Sequence, residues 1–310
     1  MKIIKPPALR RGDKVGIIAP ASNIQRELLE NGIAGLQQMG YEPVFVPGIL
    51  ERDLYFAGSV ERRLRELLEM LRRDDIKAII CARGGYGVNY VLERLDVEQF
   101  GKHPKIVVGY SDNTTLLTSI TDRTGLVTFH GPMVTKDFAL PNGVELTSWQ
   151  NAVGGANAWE LPMDGVQVLR TGDTQGMLYG GCLSLLVASL GTPFEIETKG
   201  TILFIEDIGA KPYQVDRMLM QLSQAGKLDR VRGIAFGEML DCIQPAGQDY
   251  TLQEVIMRVL ASYNVPIIYG VRSGHVSRAN ITLPIGVRAQ LIASDSGAKL
   301  KILESSVQIS

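Results

Sequence analysis

The sequence predicts an α/β protein in two parts, the first built on a mainly parallel sheet and the second a mixed, β-rich α/β unit with its own sheet. Three observations carry this. Short apolar runs alternate with helix-period segments over residues 14–129. Glycine and proline interrupt residues 139–165, and closely spaced strand-like runs fill the C-terminal end. At 310 residues the chain also exceeds the usual size of a single core. The expected division is a first domain over residues 1–140, a linker over 141–174 and a second domain over 175–310.

Residues 14–19 (KVGIIA) form a short apolar strand, and residues 25–39 carry helical spacing until Gly40 stops it. Residues 42–46 give a second strand. A helix over 59–71 begins at the capping residue Ser59, and a strand over 78–82 follows. Helix 89–95, strand 106–109, helix 114–121 and strand 126–129 complete the alternation, which implies helices on both sheet faces. Beyond the interrupted stretch come glycine-rich residues 176–181, a small apolar run over 183–190, a strand over 201–205 and a helix over 214–225. Strands over 233–236, 267–269, 280–283, 288–293 and 299–303 finish the chain.

The charges nearly cancel, 32 basic against 33 acidic residues for a formal net charge of -1, and no basic run appears. Such a balance excludes an electrostatic case for nucleic acid and points to a small-molecule partner. No apolar stretch approaches a membrane span, and the basic, proline-containing N-terminus fits the approach to a first strand better than a signal peptide. Cys81, Cys182 and Cys242 are odd in number and far apart, which argues against a disulfide framework or a zinc knuckle and for a reducing cytoplasm. No cofactor is expected. Gly85-Tyr86-Gly87-Val88-Asn89-Tyr90 ends in tyrosine where a dinucleotide loop needs a small residue.

The chemistry concentrates where the strand ending at Gly109 turns through Tyr110-Ser111-Asp112-Asn113 into a helix. A serine on such a turn projects its hydroxyl beside the N–H groups of a helix start, the place of a nucleophile. Its proton needs a base. Among three histidines, His103 precedes Pro104 in a surface loop. His130 ends a strand on the same side of the sheet as Ser111, where it lines the site as a structural or substrate-contact residue. His275 sits in a loop containing Gly274 that can present an imidazole across a domain boundary. Glu206-Asp207 closes strand 201–205 and offers the carboxylate that orients such a base. The order Ser111, Glu206, His275 matches that of α/β-hydrolases, yet Asn113 stands where G-x-S-x-G has its second glycine, so an ordinary α/β-hydrolase is disfavoured. Oxyanion donors are expected from the Asp112 amide and from the loop Arg83-Gly84-Gly85-Tyr86-Gly87.

Taken together and in order, Arg83-Gly84-Gly85-Tyr86-Gly87, Gly109-Tyr110-Ser111-Asp112-Asn113-Thr114, His130-Gly131-Pro132-Met133, Gly180-Gly181-Cys182-Leu183-Ser184-Leu185, Leu203-Phe204-Ile205-Glu206-Asp207 and Gly274-His275 resemble the LD-carboxypeptidase family of serine peptidases. That family includes muramoyltetrapeptide carboxypeptidase and the microcin C immunity peptidase. The resemblance runs from about residue 12 to 291. It implies a cytoplasmic, cofactor-free serine carboxypeptidase acting on a small peptide or muropeptide, a Rossmann-like first domain and a homodimer. Carried over, Ser111 is the nucleophile, His275 the base and Glu206 the orienting acid. Asp112 with Gly84 or Gly85 supplies the oxyanion amides, and Arg83 or Arg217 holds the substrate carboxylate. The alternatives are a peptidase of the microcin-immunity kind acting on aminoacyl-nucleotide conjugates, and a non-catalytic sugar- or peptide-binding protein.

Overall fold

The computed structural model describes residues 2–309. Its first sheet sets β1 (Lys14–Ile18), β2 (Glu42–Val44), β3 (Ile76–Cys81), β4 (Ile106–Gly109) and β5 (Thr128–His130) parallel. The connections hold α1 (Arg26–Gln38), α2 (Val60–Arg72), α3 (Val88–Leu92), α4 (Gln99–Lys102) and α5 (Thr114–Thr124). Every residue of β3 but Lys77 is buried, and every residue of β4, the signature of strands covered on both faces. α2 starts where the sequence places its cap, with the Ser59 hydroxyl accepting from the Arg62 amide at 3.2 Å.

After α6 (Leu146–Gly154) come β6 (Trp159–Glu160), β7 (Gln167–Arg170), β8 (Gly172–Cys182), α7 (Leu183–Ala188), β9 (Thr201–Glu206), α8 (Pro212–Gln224), β10 (Gly233–Gly237), α9 (Leu252–Val259), β11 (Ile267–Val271), β12 (Leu283–Ile285), β13 (Val287–Ser294) and β14 (Gly297–Ile302). The second sheet runs in the order β6-β14-β13-β8-β9-β10-β11-β7, with β8 to β11 parallel and the flanking pairs antiparallel. The mixed, β-rich second unit is therefore present as expected.

Three expectations need correction. Residues 141–174 are not an unstructured linker, since they hold α6, β6, β7 and the start of β8. Glu145 caps α6 by accepting from the amides of Thr147 and Ser148, and Gly155 ends it in the left-handed conformation. The Trp149 indole is fully buried and donates to the Tyr41 hydroxyl at 3.0 Å, which ties α6 to the first unit. Second, the strand placed at 280–283 lies at Leu283–Ile285 and joins the first sheet, antiparallel to β5 with Leu283 opposite His130. Third, α9 follows a capping box at Thr251 and Glu254 that the reading passed over. The returning β12 makes the two units share one apolar core, from Val15 and Phe129 through Leu283 to Phe204 and Phe236. The apolar run 183–190 lies partly in that core, with Leu183 and Leu186 buried.

Candidate active site

Four loops converge at the carboxyl ends of β3, β4, β9 and β11. The first is the turn after β4. Ser111 adopts φ +62°, a left-handed conformation that costs an L-residue strain. It opens a single 3-10 turn, Ser111–Asn113, that runs straight into α5, and Ser111 itself stays half-buried. Asn113, the residue that breaks the hydrolase pattern, has a structural task. Its side-chain amide donates to the Tyr110 carbonyl at 3.1 Å and to the Arg83 carbonyl at 3.3 Å, tying the turn to the glycine loop.

That glycine loop follows β3. A Cβ on Gly84 would stand 2.6 Å from Ser111 Cβ and 2.8 Å from its Oγ, so only glycine lets the loop pass the serine. Gly85 has φ +104° and turns the other way, toward the Ser22 hydroxyl, which accepts from the Tyr86 amide at 3.1 Å. Among the described residues, the amides of Gly84 and Gly85 donate to no other group of the chain. The buried Asp112 carboxylate accepts from the Val88 amide at 2.8 Å and so fixes the far end of the loop; burial pushes its carboxyl up to about 6.

The third and fourth loops bring a carboxylate and an imidazole together. Glu206 ends β9 fully buried, and its Oε2 accepts from both the His275 backbone amide at 2.9 Å and His275 Nδ1 at 2.8 Å. Burial works to raise the Glu206 carboxyl; His130 and His275 outweigh it and bring it down to about 2. With Nδ1 engaged by the carboxylate, His275 keeps Nε2 as the acceptor nitrogen. Its ring packs edge-on against Tyr110, the residue before Ser111, at a centroid distance of 5.1 Å, and remains 8 % exposed. Gly274, at φ +91°, makes this approach possible, because a Cβ there would lie 2.5 Å from Glu206 Cδ. Its amide donates to the buried Asn280 side chain, while the Ser277 amide donates to Glu238 at 2.8 Å. Gly274→Ala is expected to cost about 1–3 kcal/mol of stability, read by urea unfolding, and to lower activity by displacing Glu206.

The sequence-predicted residues divide on their placement. Ser111, Asp112 and Gly84 are in contact, and Glu206 and His275 are hydrogen-bonded. His130 does not face substrate as a contact residue. It is completely buried behind Glu206, its Nε2 3.7 Å from Glu206 Oε1. Arg83 lies exposed at the head of the glycine loop and donates to the Asn23 carbonyl at 3.0 Å. Arg217 is on the exposed face of α8 with its guanidinium over the Tyr213 ring, and among the described residues no polar contact joins it to Glu206 or His275.

The known sequence pattern of the LD-carboxypeptidase N-terminal domain matches residues 15–131, and that of the LD-carboxypeptidase C-terminal domain matches residues 175–291. The chain belongs to the LD-carboxypeptidase family. It is 39% identical over 307 residues to a probable murein peptide carboxypeptidase of Bacillus subtilis (strain 168), covering 98% of this chain and 95% of the relative. Its fold is similar to the muramoyltetrapeptide carboxypeptidase from Oxalobacter formigenes, with a TM-score of 0.84, 29% identity and coverage of 94% and 99%. It is likewise similar to the microcin self immunity protein MccF in complex with aspartyl sulfamoyl adenosine, with a TM-score of 0.90, 25% identity and coverage of 98% and 100%. The two family segments bracket residues 132–174, so α6 lies outside both matches while it packs on the first unit.

In this LD-carboxypeptidase family member the sequence reading missed Asn113, Asn280 and Ser273 as parts of the site. Asn113 was readable as a side chain beside a turn that needs its carbonyl satisfied. Asn280 bridges Gly274 and Asp137 at 3.1 Å each, and Ser273 meets His130 Nδ1 at 2.9 Å. Both depend on β12 returning to the first sheet, which no local pattern announces.

Proposed function

We propose that the chain is a serine LD-carboxypeptidase that releases the terminal D-alanine of murein tetrapeptides through Ser111, His275 and Glu206. The observation that supports this most is the left-handed Ser111 turn packed against Gly84, whose neighbouring Tyr110 ring meets edge-on the imidazole that the buried Glu206 binds at Nδ1. His275 Nε2 takes the Ser111 proton as Oγ attacks the scissile carbonyl, then passes it to the leaving amine; water repeats the steps on the acyl-enzyme. The Asp112 amide, with the unpaired Gly84 amide beside the nucleophile, receives the developing oxyanion. Gly85, turned toward Ser22, is the weaker second donor. Arg83, exposed on the same loop, is the candidate for the substrate carboxylate ahead of Arg217 on α8.

The bond expected to break joins the L-centre of the diamino acid to D-alanine. Incubating muramoyl-tetrapeptide with the protein should remove one alanine by mass spectrometry; no loss, with aminoacyl-nucleotide turnover instead, would overturn the substrate. The reading carries with it a cytoplasmic homodimer without cofactor, and the three free, buried cysteines fit the reducing compartment it names.

One observation favours the aminoacyl-nucleotide reading. The exposed rings of Tyr55, Tyr86 and Tyr90 surround the half-buried Phe56, with neighbouring centroids 4.4–6.1 Å apart, on and beside the glycine loop. Such faces accept a nucleobase, and they accept a sugar ring equally. Parallel assays with muramoyl-tetrapeptide and aspartyl sulfamoyl adenosine decide between them by which one is cleaved faster.

A further inference from the structure

Two polar atoms at the back of the site are without a hydrogen-bond partner among the described residues: His130 Nε2 and Glu206 Oε1, both on side chains with no exposed surface. They face each other at 3.7 Å. A buried carboxylate oxygen without a donor is costly, and so is a buried ring nitrogen without a partner. A side-chain shift of under about 1 Å brings the pair to hydrogen-bond distance. The rest of the His130 ring is already held. Nδ1 lies 2.9 Å from Ser273 Oγ, and the ring packs edge-on against Phe204 at 5.1 Å.

We propose that His130 is a positioning residue for the catalytic carboxylate, carrying its proton on Nε2 and donating it to Glu206 Oε1 while the Ser273 hydroxyl donates to Nδ1. The assignment follows from the donors present. Glu206 Oε1 can only accept, so the atom facing it must bear the hydrogen. Ser273 Oγ stands closer to Nδ1, at 2.9 Å, than to the His130 carbonyl, at 3.4 Å, so its hydrogen goes to the ring nitrogen. Glu206 is then gripped on both oxygens, by His275 on Oε2 and by His130 on Oε1. In the triad proposed above, a carboxylate fixed in its plane would hold the His275 ring in one rotation and leave Nε2 free to serve Ser111. This explains why a histidine sits wholly inside the core at the end of β5, a place where an apolar ring would satisfy the packing. The proposal rests on the triad reading above.

The test compares His130→Phe, which keeps a ring and removes the donor, with His130→Gln, which keeps an N–H near the place of Nε2. The expected result is a kcat about 10–100-fold lower for His130→Phe with KM within about twofold, the scale on which loss of the outer partner of a metal-bound side chain acts. His130→Gln should recover most of that loss. Equal kcat in the two variants, or a loss matched by the unfolded fraction in circular dichroism, overturns the proposal. Nitrogen-15 NMR of the wild-type imidazoles needs no variant to fold: a protonated Nε2 on His130 supports the assignment and a bare Nε2 overturns it. Ser111→Ala separates the two layers of argument. An active Ser111→Ala protein defeats the triad itself, whereas an inactive one beside a fully active His130→Phe defeats only the role of His130.

Discussion

Ser111→Ala is expected to slow turnover of murein tetrapeptide by at least about 10⁴-fold while leaving the folded state intact. The size of the effect follows from what remains. In the proposed mechanism the Asp112 and Gly84 amides would still polarise the carbonyl and substrate would still bind, so some catalysis would survive, but no acyl-enzyme would form. Folding is unaffected because the side chain removed is one hydroxyl, and neither the Asn113 bonds nor the Asp112 bond to Val88 passes through it. Backbone strain gives an independent readout at the same position. Alanine suffers at φ +62° as serine does, and glycine does not, so Ser111→Gly should unfold at higher urea than Ser111→Ala, by about 1 kcal/mol less the entropy glycine costs the folded chain. A Ser111→Ala protein with wild-type turnover, measured by released alanine, would remove Ser111 from the mechanism.

The parts of this architecture that the sequence made legible are those written in local spacing. The apolar runs of β1, β3 and β4 are buried strands but for Lys14 at the start of β1 and Lys77 in β3, as burial on both faces produces. Ser111, Glu206 and His275 each stand at the end of a strand or in a glycine-bearing loop, so their neighbourhoods were readable singly. Their assembly was not. The Glu206–His275 pair joins positions 69 residues apart, and it exists only because Gly274 and Gly237 let the backbone crowd against Glu206. Residues 141–174 misled for a physical reason: Pro141, Gly143, Gly154 and Gly155 are the punctuation of a short capped helix as well as of a linker, and Trp149, buried against Tyr41, decides between them. His130 stayed open between a structural and a substrate-contact place, since a strand end near a nucleophile looks the same whether the side chain faces the substrate or the core. The ring's own contacts settle that, edge-on to Phe204 and 2.9 Å from the Ser273 hydroxyl with no exposed surface.

Glu206→Gln is the second substitution with a large expected effect: kcat falls about 10³–10⁴-fold with KM changed within about twofold. In the proposed mechanism the carboxylate holds the His275 Nδ1 proton and balances the charge the imidazole gains as Ser111 attacks. An amide in its place keeps one acceptor oxygen and loses the charge. Its NH₂ group must also find an acceptor in a fully buried space facing His130, which disturbs the ring on either side. The acid dependence of stability tests the same carboxylate without substrate. Glu206 ionises at about 2 in the folded chain against an ordinary 4.5, so its contribution is fully present above 4.5 and is lost as pH falls through about 2. The stability gap between wild type and Glu206→Gln should therefore narrow steadily as pH falls from 4.5 to 2. Glu66 and Asp112, buried acids shifted the other way at a distance from the substitution, occur in both proteins and cancel in the difference, whereas Asp207, raised in part by the Glu206 charge, does not. A gap that stays level to pH 2 in urea titrations would mean that Glu206 is not the ionised partner of His275, and the orienting acid would have to be sought elsewhere.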